Sequence, residues 1–265
     1  MKIDTYSCSA VLEGKGHRPD HCNRFGRLLG LTPYKNKGES CLFFGCYNKI
    51  DYAKIMKHTS NTIVYWGGTD IIKAGKNKWS FRPEILHVVG NKRCQKELEQ
   101  IGIKSIIRPV AEVCPDKLRL EPLGDAVFVY MPYRRRAFYG IKIVTKVASR
   151  YPRTKFLLLR WGKRRIPFRN AEAFPLVNFE DLKELYKRSF VGIRPVKHDG
   201  NPQTNIELGL MGRRTGWTYP TPFQERCGTL YDYRDFVGEE MNRKKPDQLV
   251  RQHYLDTVNN FDFLE

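Results

Sequence analysis

The chain has 265 residues, of which 41% are hydrophobic and 12% aromatic, which allows two domains with a core each and excludes general disorder. Forty-seven lysines and arginines against 28 aspartates and glutamates give a net charge of +19, which favours an anionic partner. No stretch approaches the roughly 20 apolar residues of a membrane helix, and the first residues lack a secretion signal, so we expect no stable membrane insertion.

The cysteines are odd in number and show no C-x-x-C spacing. They are Cys8, Cys22, Cys41, Cys46, Cys94, Cys114 and Cys227. This pattern argues against a disulfide framework and against structural zinc. We therefore expect reduced thiols and a cytoplasmic location, the host cytoplasm if the source is viral.

Strand-like apolar runs alternate with helical segments in the first half of the chain. Predicted strands cover residues 3–12, 41–47, 61–68, 85–90 and 104–110, and predicted helices cover 22–29, 51–58 and 92–100. Asn91 is the expected cap of the last of these helices and Gly102 its stop, and the basic segment 73–82 is expected to be an exposed loop. Such alternation indicates a parallel sheet with crossover helices.

The same alternation restarts after a predicted linker at residues 121–126. Predicted strands cover residues 126–132, 155–162, 175–179 and 190–193, and predicted helices cover 141–152 and 180–189. We expect an α/β fold with two Rossmann-like domains, residues 1–122 and 123–245, that face a cleft. The row of apolar residues Leu249, Tyr254, Leu255 and Val258 suggests a terminal helix within 246–265, which would return to the first domain.

The strongest ligand-binding pattern is the segment 197–214, KHDGNPQTNIELGLMGRR. Its loop residues include Asp199, Gly200 and Asn201. A helix follows, for which Thr204 or Asn205 is the expected cap and Glu207 an expected member of the first turn. Glycine allows close approach of the backbone to a ligand, and a helix N-terminus attracts anions. An ordinary strand-to-helix turn gives the same pattern, so the loop alone leaves both readings open.

Two further glycine-bearing turns follow predicted strands. The first contains Gly14, Lys15, Gly16, His17 and Asp20. Either His17 or Asp20 could act as a general base, and a solvated loop is the plain alternative. The spacing matches neither a P-loop nor a dinucleotide-binding motif. The second turn runs from Gly67 to Asp70.

The order of features in the second half resembles the donor-binding domain of GT-B-type glycosyltransferases, which use nucleotide sugars and include many retaining enzymes. The likeness covers roughly residues 61–240 and rests on an arginine-rich loop, Tyr139-Gly140 before a helix, Arg160-Trp-Gly after a strand, and the segment EDLKELY. Asp199 and Glu207, with seven residues between them, resemble the paired acids of that family, although the family usually has glutamate at the first position.

The resemblance implies roles for the candidate residues. Glu207 would hold the ribose hydroxyls of a nucleotide sugar, and Asp199, Gly200 and Asn201 would contact the sugar. The diphosphate would be neutralised by Arg160 and Lys163, or alternatively by Arg134. The catalytic set would be Asp199, Glu207, His17 and Asp20, and the acceptor side would include Gly14, Lys15, Gly16 and Asp70. Fixed cations can replace a metal in this task, so neither a metal nor a prosthetic group is expected.

The expected activity is transfer of a hexose, from UDP-glucose or a similar donor, to an acceptor hydroxyl. Because the positive charge is spread over both halves, we expect double-stranded DNA with a hydroxymethylated base as the acceptor, similar to phage-type DNA glycosyltransferases. One alternative is an enzyme that modifies a cell-surface or lipid-linked glycan. Another is a non-catalytic nucleic-acid-binding module.

Overall fold

A computed structural model describes residues 3–8, 26, 28–110, 114–200, 202–219, 225–259 and 261–264. Contacts divide the chain into two compact units. The first consists of residues 1–114, 198–201 and 257–265, and the second of residues 115–197 and 202–256. Residues 115–122 thus belong to the second unit, whereas the sequence prediction assigns them to the first.

The first unit is built on a parallel sheet. Its described strands are β1 (Thr5–Cys8), β2 (Thr32–Pro33), β3 (Cys41–Phe44), β4 (Thr62–Trp66), β5 (Leu86–Val89) and β6 (Ile106–Ile107), and its helices are α1 (Lys49–Lys57), α2 (Thr69–Asn77) and α3 (Lys92–Glu99). The strand order is β2-β1-β3-β4-β5-β6, and every pair is parallel. This topology confirms the predicted parallel sheet.

The second unit repeats the architecture. Its described strands are β7 (Ala126–Tyr130), β8 (Lys155–Leu159), β9 (Ala171–Phe174), β10 (Ser189–Arg194), β11 (Thr215–Trp217) and β12 (Glu225–Arg226). Its helices are α4 (Ile141–Arg150), α5 (Phe179–Lys187), α6 (Gln203–Leu210), α7 (Leu230–Glu240) and α8 (Gln248–Thr257). The strand order is β12-β11-β10-β7-β8-β9, again with parallel pairs. Both units are therefore Rossmann-like.

Both faces of the first sheet are covered, as β4 shows. Val64 and Trp66 belong to one apolar cluster, while Ile63 and Tyr65 belong to another. Because side chains alternate between the two faces of a strand, these clusters lie on opposite faces of the sheet. Strands buried on both faces need continuous apolar runs, which is why the strand segments could be found in the sequence.

The predicted start and stop signals of α3 are confirmed. The Asn91 side chain accepts a hydrogen bond from the backbone N–H of Cys94 at 2.9 Å. Gly102, just after the helix, has a φ of +80°, a left-handed conformation that glycine adopts without strain.

Two predictions of secondary structure are wrong. Residues 73–77 belong to α2 rather than to an exposed loop, because Ile71 and Ala74 give this basic helix a buried side. The predicted strand at residues 175–179 is replaced by β9, which ends just before Pro175, a residue without the N–H that a strand ladder needs.

Helix α8 lies in the segment for which the sequence predicts a terminal helix. Val250 and Tyr254 are buried, whereas Leu249 is 68% exposed and Leu255 is 37% exposed. The Tyr254 ring lies against Gly209 of α6, where an added β-carbon would be only 2.1 Å from it. The helix therefore packs on α6 through Tyr254, a member of the apolar row in the sequence, while Leu249 and Leu255 of that row face outward. None of the described helices combines the length and the apolar composition that crossing a bilayer requires.

The cysteines differ in environment. Cys8 forms a disulfide bond, which differs from the expectation that the thiols are reduced. Cys41, Cys46 and Cys94 are buried, and burial raises the pKa of each thiol, to about 12 for Cys41. These three thiols are therefore protonated and unreactive at neutral pH.

Arg213 is a buried cation that holds the loop before β11. It is 1% exposed and donates to the carbonyl oxygens of Met211 at 2.7 Å, Pro122 at 2.8 Å and Ser189 at 2.9 Å. Burial lowers its pKa to about 10, so the guanidinium stays charged at neutral pH. One side chain thus links the starts of β7, β10 and β11.

We expect Arg213→Ala to lower the free energy of unfolding of the second unit by about 3 kcal/mol, because several buried carbonyls lose their donor. Urea denaturation followed by tryptophan fluorescence measures the loss, since Trp161 and Trp217 lie in this unit. Arg188→Ala is the matched control: the side chains of Arg188 and its ion-pair partner Glu172 are 44% and 43% exposed, so we expect a loss below about 1 kcal/mol. Equal losses would contradict the structural role of Arg213.

Candidate functional site

Several predicted site residues lie outside the described residues. They are Gly14, Lys15, Gly16, His17, Asp20 and Asn201. The roles that the sequence gives them stay predictions. Among the described residues, no group of three or more histidine, cysteine, aspartate and glutamate side chains is placed to hold a metal ion.

The loop residues 198–200 are held in the first unit by Asn91. The Asn91 side-chain amide donates a hydrogen bond to the Gly200 carbonyl oxygen, while its carbonyl oxygen caps α3. Nearby, His198 Nε2 lies 2.7 Å from Glu97 Oε2, and Arg93 Nε donates to the other oxygen of Glu97 at 2.6 Å. Although burial acts to raise the pKa of Glu97, these two hydrogen bonds hold it below its usual value.

Gly200 makes a close backbone contact with the turn after β4. A β-carbon on Gly200 would lie 2.6 Å from the carbonyl carbon of Gly67, and one on Gly68 would lie 2.5 Å from the Gly200 nitrogen. Gly68 also has a φ of +108°, which side chains rarely tolerate. The sequence predicts that a ligand can come close to the backbone at Gly200. In the structure, the Gly67–Gly68 turn lies close to the Gly200 backbone.

Asp70 fixes this turn from inside. Its carboxylate is wholly buried and accepts hydrogen bonds from the backbone N–H groups of Gly67 at 3.0 Å and Cys46 at 3.3 Å. Burial raises its pKa to about 6, against the backbone hydrogen bonds that lower it. Because no part of this side chain is exposed, its placement does not support direct contact with an acceptor.

In the second unit, two arginines meet one tyrosine at the carboxyl ends of the strands. Arg160, just after β8, donates from Nη1 to the hydroxyl of Tyr130, the last residue of β7, at 2.8 Å. The guanidinium carbon of Arg194, the last residue of β10, lies 4.9 Å from the Tyr130 ring centroid. Arg194 also donates to Thr204 of α6 at 3.1 Å. We call this arrangement the arginine pair; Tyr130 joins its two cations, and Arg194 lies beside the first turn of α6.

The backbone of Arg160 has an unusual conformation. Its φ is +66°, in the left-handed region that few residues other than glycine adopt. Such strain is found most often at functional sites, where the surrounding structure maintains it.

Arg194 is the site residue that the sequence prediction omits. It is 7% exposed, and the apolar run before it identifies only the end of a strand. A signal is nevertheless present, because an arginine at the carboxyl end of a parallel strand lies where such sheets bind ligands.

Glu207 is buried in α6 and accepts a hydrogen bond from the Tyr186 hydroxyl of α5. It is the fifth residue of its helix, so the prediction that it stands in the first turn is wrong. The predicted caps are wrong as well: Pro202 is the N-cap, and Thr204 and Asn205 lie inside the helix. Proline, with its fixed φ, sets the start of the helix before either polar residue.

The remaining predicted donor residues lie on loops that follow the strands. Arg134 belongs to a short 3-10 turn after β7, and Lys163 follows Arg160 closely in the chain. Both side chains are exposed, and neither forms an ion pair with any residue of the described ranges. Asp199 belongs to the first unit and Glu207 to the second, so their paired role stays a prediction.

No family model matches the sequence, and no curated protein matches it either. In structure, the chain is similar to the lipopolysaccharide outer core galactosyltransferase WaaB, with a TM-score of 0.58, 12% identity and coverage of 98% of this chain and 96% of that one. It is also similar to sucrose-phosphate synthase from Thermosynechococcus elongatus, with a TM-score of 0.58, 9% identity and coverage of 82% and 69%. The chain has the GT-B fold.

TarM is a third similar structure, with a TM-score of 0.56, 10% identity and coverage of 83% of this chain. The chain spans about half of TarM, 52% of its length. At these identities the likeness shows the GT-B fold, and the predicted fold class is thereby confirmed. Within this GT-B fold, the arginine pair lies at the strand ends where parallel sheets bind ligands.

We expect Gly200→Ala to destabilise the first unit by about 1 to 3 kcal/mol, because the new methyl group would overlap the Gly67 backbone. Thermal unfolding measures this effect. Gly228→Ala is the matched control, since its β-carbon would meet nothing closer than 3.6 Å, and we expect a change below about 0.5 kcal/mol. A Gly200→Ala protein as stable as the control would show that the close contact is absent.

Proposed function

We propose that this protein is a glycosyltransferase that transfers a hexose from a nucleotide sugar to an acceptor hydroxyl. The observation that carries the proposal is the arginine pair at the carboxyl ends of the second sheet, in a chain with the GT-B fold. In the reaction, the bond between the anomeric carbon and the diphosphate oxygen breaks, and a bond to the acceptor oxygen forms. The acceptor proton passes to a base, and the nucleoside diphosphate leaves.

The arginine pair suits the charge that develops on the leaving diphosphate. Guanidinium groups bind phosphate oxygens through charge-assisted hydrogen bonds, and cations that are already fixed need no reorganisation during the reaction. Arg160 is fixed by the Tyr130 hydroxyl, and Arg194 by the Tyr130 ring and Thr204. We assign Lys163 and Arg134 as additional, exposed cations for the same diphosphate. In this proposal no metal is required.

The donor assignment extends the same proposal. The pneumococcal O-GlcNAc transferase GtfA, with a TM-score of 0.51 and 9% identity to this chain, was solved with UDP and GlcNAc, which supports a uridine nucleotide in our proposal. We propose UDP-glucose as the first donor to test. Glu207 would hold the ribose, with its carboxylate oriented by Tyr186, and Asp199 would contact the sugar. His17 or Asp20 would take the acceptor proton.

The net charge of +19 on this protein supports an anionic acceptor. DNA with hydroxymethylated bases is one candidate. A cell-surface or lipid-linked glycan is the other, and the description of WaaB as a lipopolysaccharide outer core galactosyltransferase supports it. A non-catalytic nucleic-acid-binding protein would bind DNA and leave nucleotide sugars intact.

The deciding experiment offers radiolabelled UDP-sugars with three acceptors: DNA carrying 5-hydroxymethyl bases, unmodified DNA and lipid-linked glycan. Label on one acceptor class establishes both donor and acceptor. Slow hydrolysis of the UDP-sugar without transfer supports the donor assignment and rejects all three acceptors. If the protein neither transfers nor hydrolyses any sugar, the proposed enzymatic function is wrong.

We expect Arg194→Met to weaken UDP binding by about 10-fold to 100-fold, which corresponds to the loss of one charged hydrogen bond. Isothermal titration calorimetry measures the dissociation constant. Arg188→Met is the matched control because Arg188 directly precedes β10 and is bonded to Glu172, whereas Arg194 ends the same strand. A similar loss of affinity in both variants would argue against a phosphate site at the arginine pair.

We expect Glu207→Gln to weaken UDP binding by about 10-fold, since the ribose hydroxyls lose a charged acceptor. Tyr186→Phe removes the hydroxyl that orients the Glu207 carboxylate, so it should lower the melting temperature and weaken UDP binding by about 2-fold to 3-fold, less than Glu207→Gln does. Calorimetry and thermal unfolding on both variants separate the two roles. Equal losses of affinity would assign Glu207 to the core rather than to the donor.

A further inference from the structure

A groove of about 770 Å³ opens on the second unit beside α4. Its floor is mainly apolar and is formed by Ile141, Ile143, Trp161, Ile166, Pro167 and Leu230. Its rim carries four cations, Arg136, Lys142, Lys146 and Arg165. The lining of this basic groove includes neither Arg160 nor Arg194, although two of its residues adjoin Arg160: Trp161 follows it in the chain, and the Tyr133 N–H donates to its carbonyl oxygen at 3.2 Å.

The rim cations have no acidic neighbours in the chain segment that supplies them. Residues 126–171 contain thirteen lysines and arginines and no aspartate or glutamate. None of the four rim cations forms an ion pair with any described residue. Their charge is therefore available to an anionic partner.

The aromatic rings at the groove are already engaged. Tyr133 lies under the guanidinium groups of Arg136, at 4.5 Å, and Arg164, at 5.6 Å. Trp161 packs edge-on against Tyr133 with the centroids 5.1 Å apart, is 3% exposed, and donates to the Arg164 carbonyl at 3.1 Å. Single-stranded nucleic acids need open ring faces for base stacking, which these rings do not offer. The rest of the floor is aliphatic and suits a hydrocarbon chain.

We propose that the basic groove docks this protein on a bilayer that contains anionic phospholipid. The rim cations would meet the headgroup phosphates, and the floor would receive the hydrocarbon of one lipid. This docking does not depend on the proposed glycosyl transfer, and it would bring the protein to a lipid-borne acceptor.

The expected strength follows from the number of cations. Each lysine or arginine near an anionic surface strengthens binding by about 5-fold, and four together by roughly several hundred-fold. Burial of apolar surface adds to this. Such binding is reversible and falls as salt screens the charges.

The test is sedimentation with vesicles of phosphatidylcholine and phosphatidylglycerol, and with phosphatidylcholine alone. We expect Lys142→Ala/Lys146→Ala to lower the partition coefficient about 20-fold on the anionic vesicles. Lys244→Ala/Lys245→Ala removes the same charge from exposed positions of the same unit outside the groove, and should lower it less than about 3-fold. Equal losses in both variants, or no binding of the wild type to anionic vesicles, would overturn the proposal.

Ile166→Ser distinguishes a lipid from a polyanion. It weakens the apolar floor and leaves the charge unchanged, so vesicle binding should fall by about 3-fold to 10-fold while retention of duplex DNA in a gel stays the same. If the Ile166→Ser protein binds vesicles normally and the double lysine variant loses DNA binding, the groove is a nucleic-acid surface and lipid docking is wrong.

UDP affinity, measured on each variant, verifies folding. It also separates the two proposals. Binding to vesicles without binding to UDP would support the docking proposal and contradict the proposed glycosyltransferase function.

Discussion

Both units depend on the burial of a parallel sheet between layers of apolar side chains. This constraint requires strands such as β4 to be apolar on both faces, and the clusters around Val64 and Ile63 show the result. Side chains that are open to a ligand are then concentrated at the strand ends. Tyr130, Arg160 and Arg194 therefore occupy the places where β7, β8 and β10 end.

Those strand ends also show how two cationic side chains can be held in place. A guanidinium is costly to immobilise alone, because its side chain has many rotamers. Here one tyrosine provides a hydroxyl for Arg160 and a ring face for Arg194. The two like charges stay near each other because the ring and Thr204 compensate for part of their repulsion.

Much of the fold could be predicted from the sequence because its signals are local. Apolar runs identified the strands, and Asn91 and Gly102 marked a helix at both ends. Helix α2 was missed because its lysines conceal the short buried stripe of Ile71 and Ala74. Arg160 was predicted and Arg194 has a signal in the sequence, but their meeting at Tyr130 could not be predicted, since β10 and β8 become neighbours of β7 only through the strand order, which no local pattern encodes.

The Asn91 side chain uses both ends of its amide at once. Its oxygen accepts from the Cys94 N–H, and its nitrogen donates to the Gly200 carbonyl. Aspartate would cap the helix equally well but has no N–H to donate, and its charge would repel the carbonyl oxygen. Serine could not reach both partners. Only a short amide therefore satisfies both partners. Asn91→Asp is conservative for a helix cap, yet it would remove the hydrogen bond that holds the Gly200 loop.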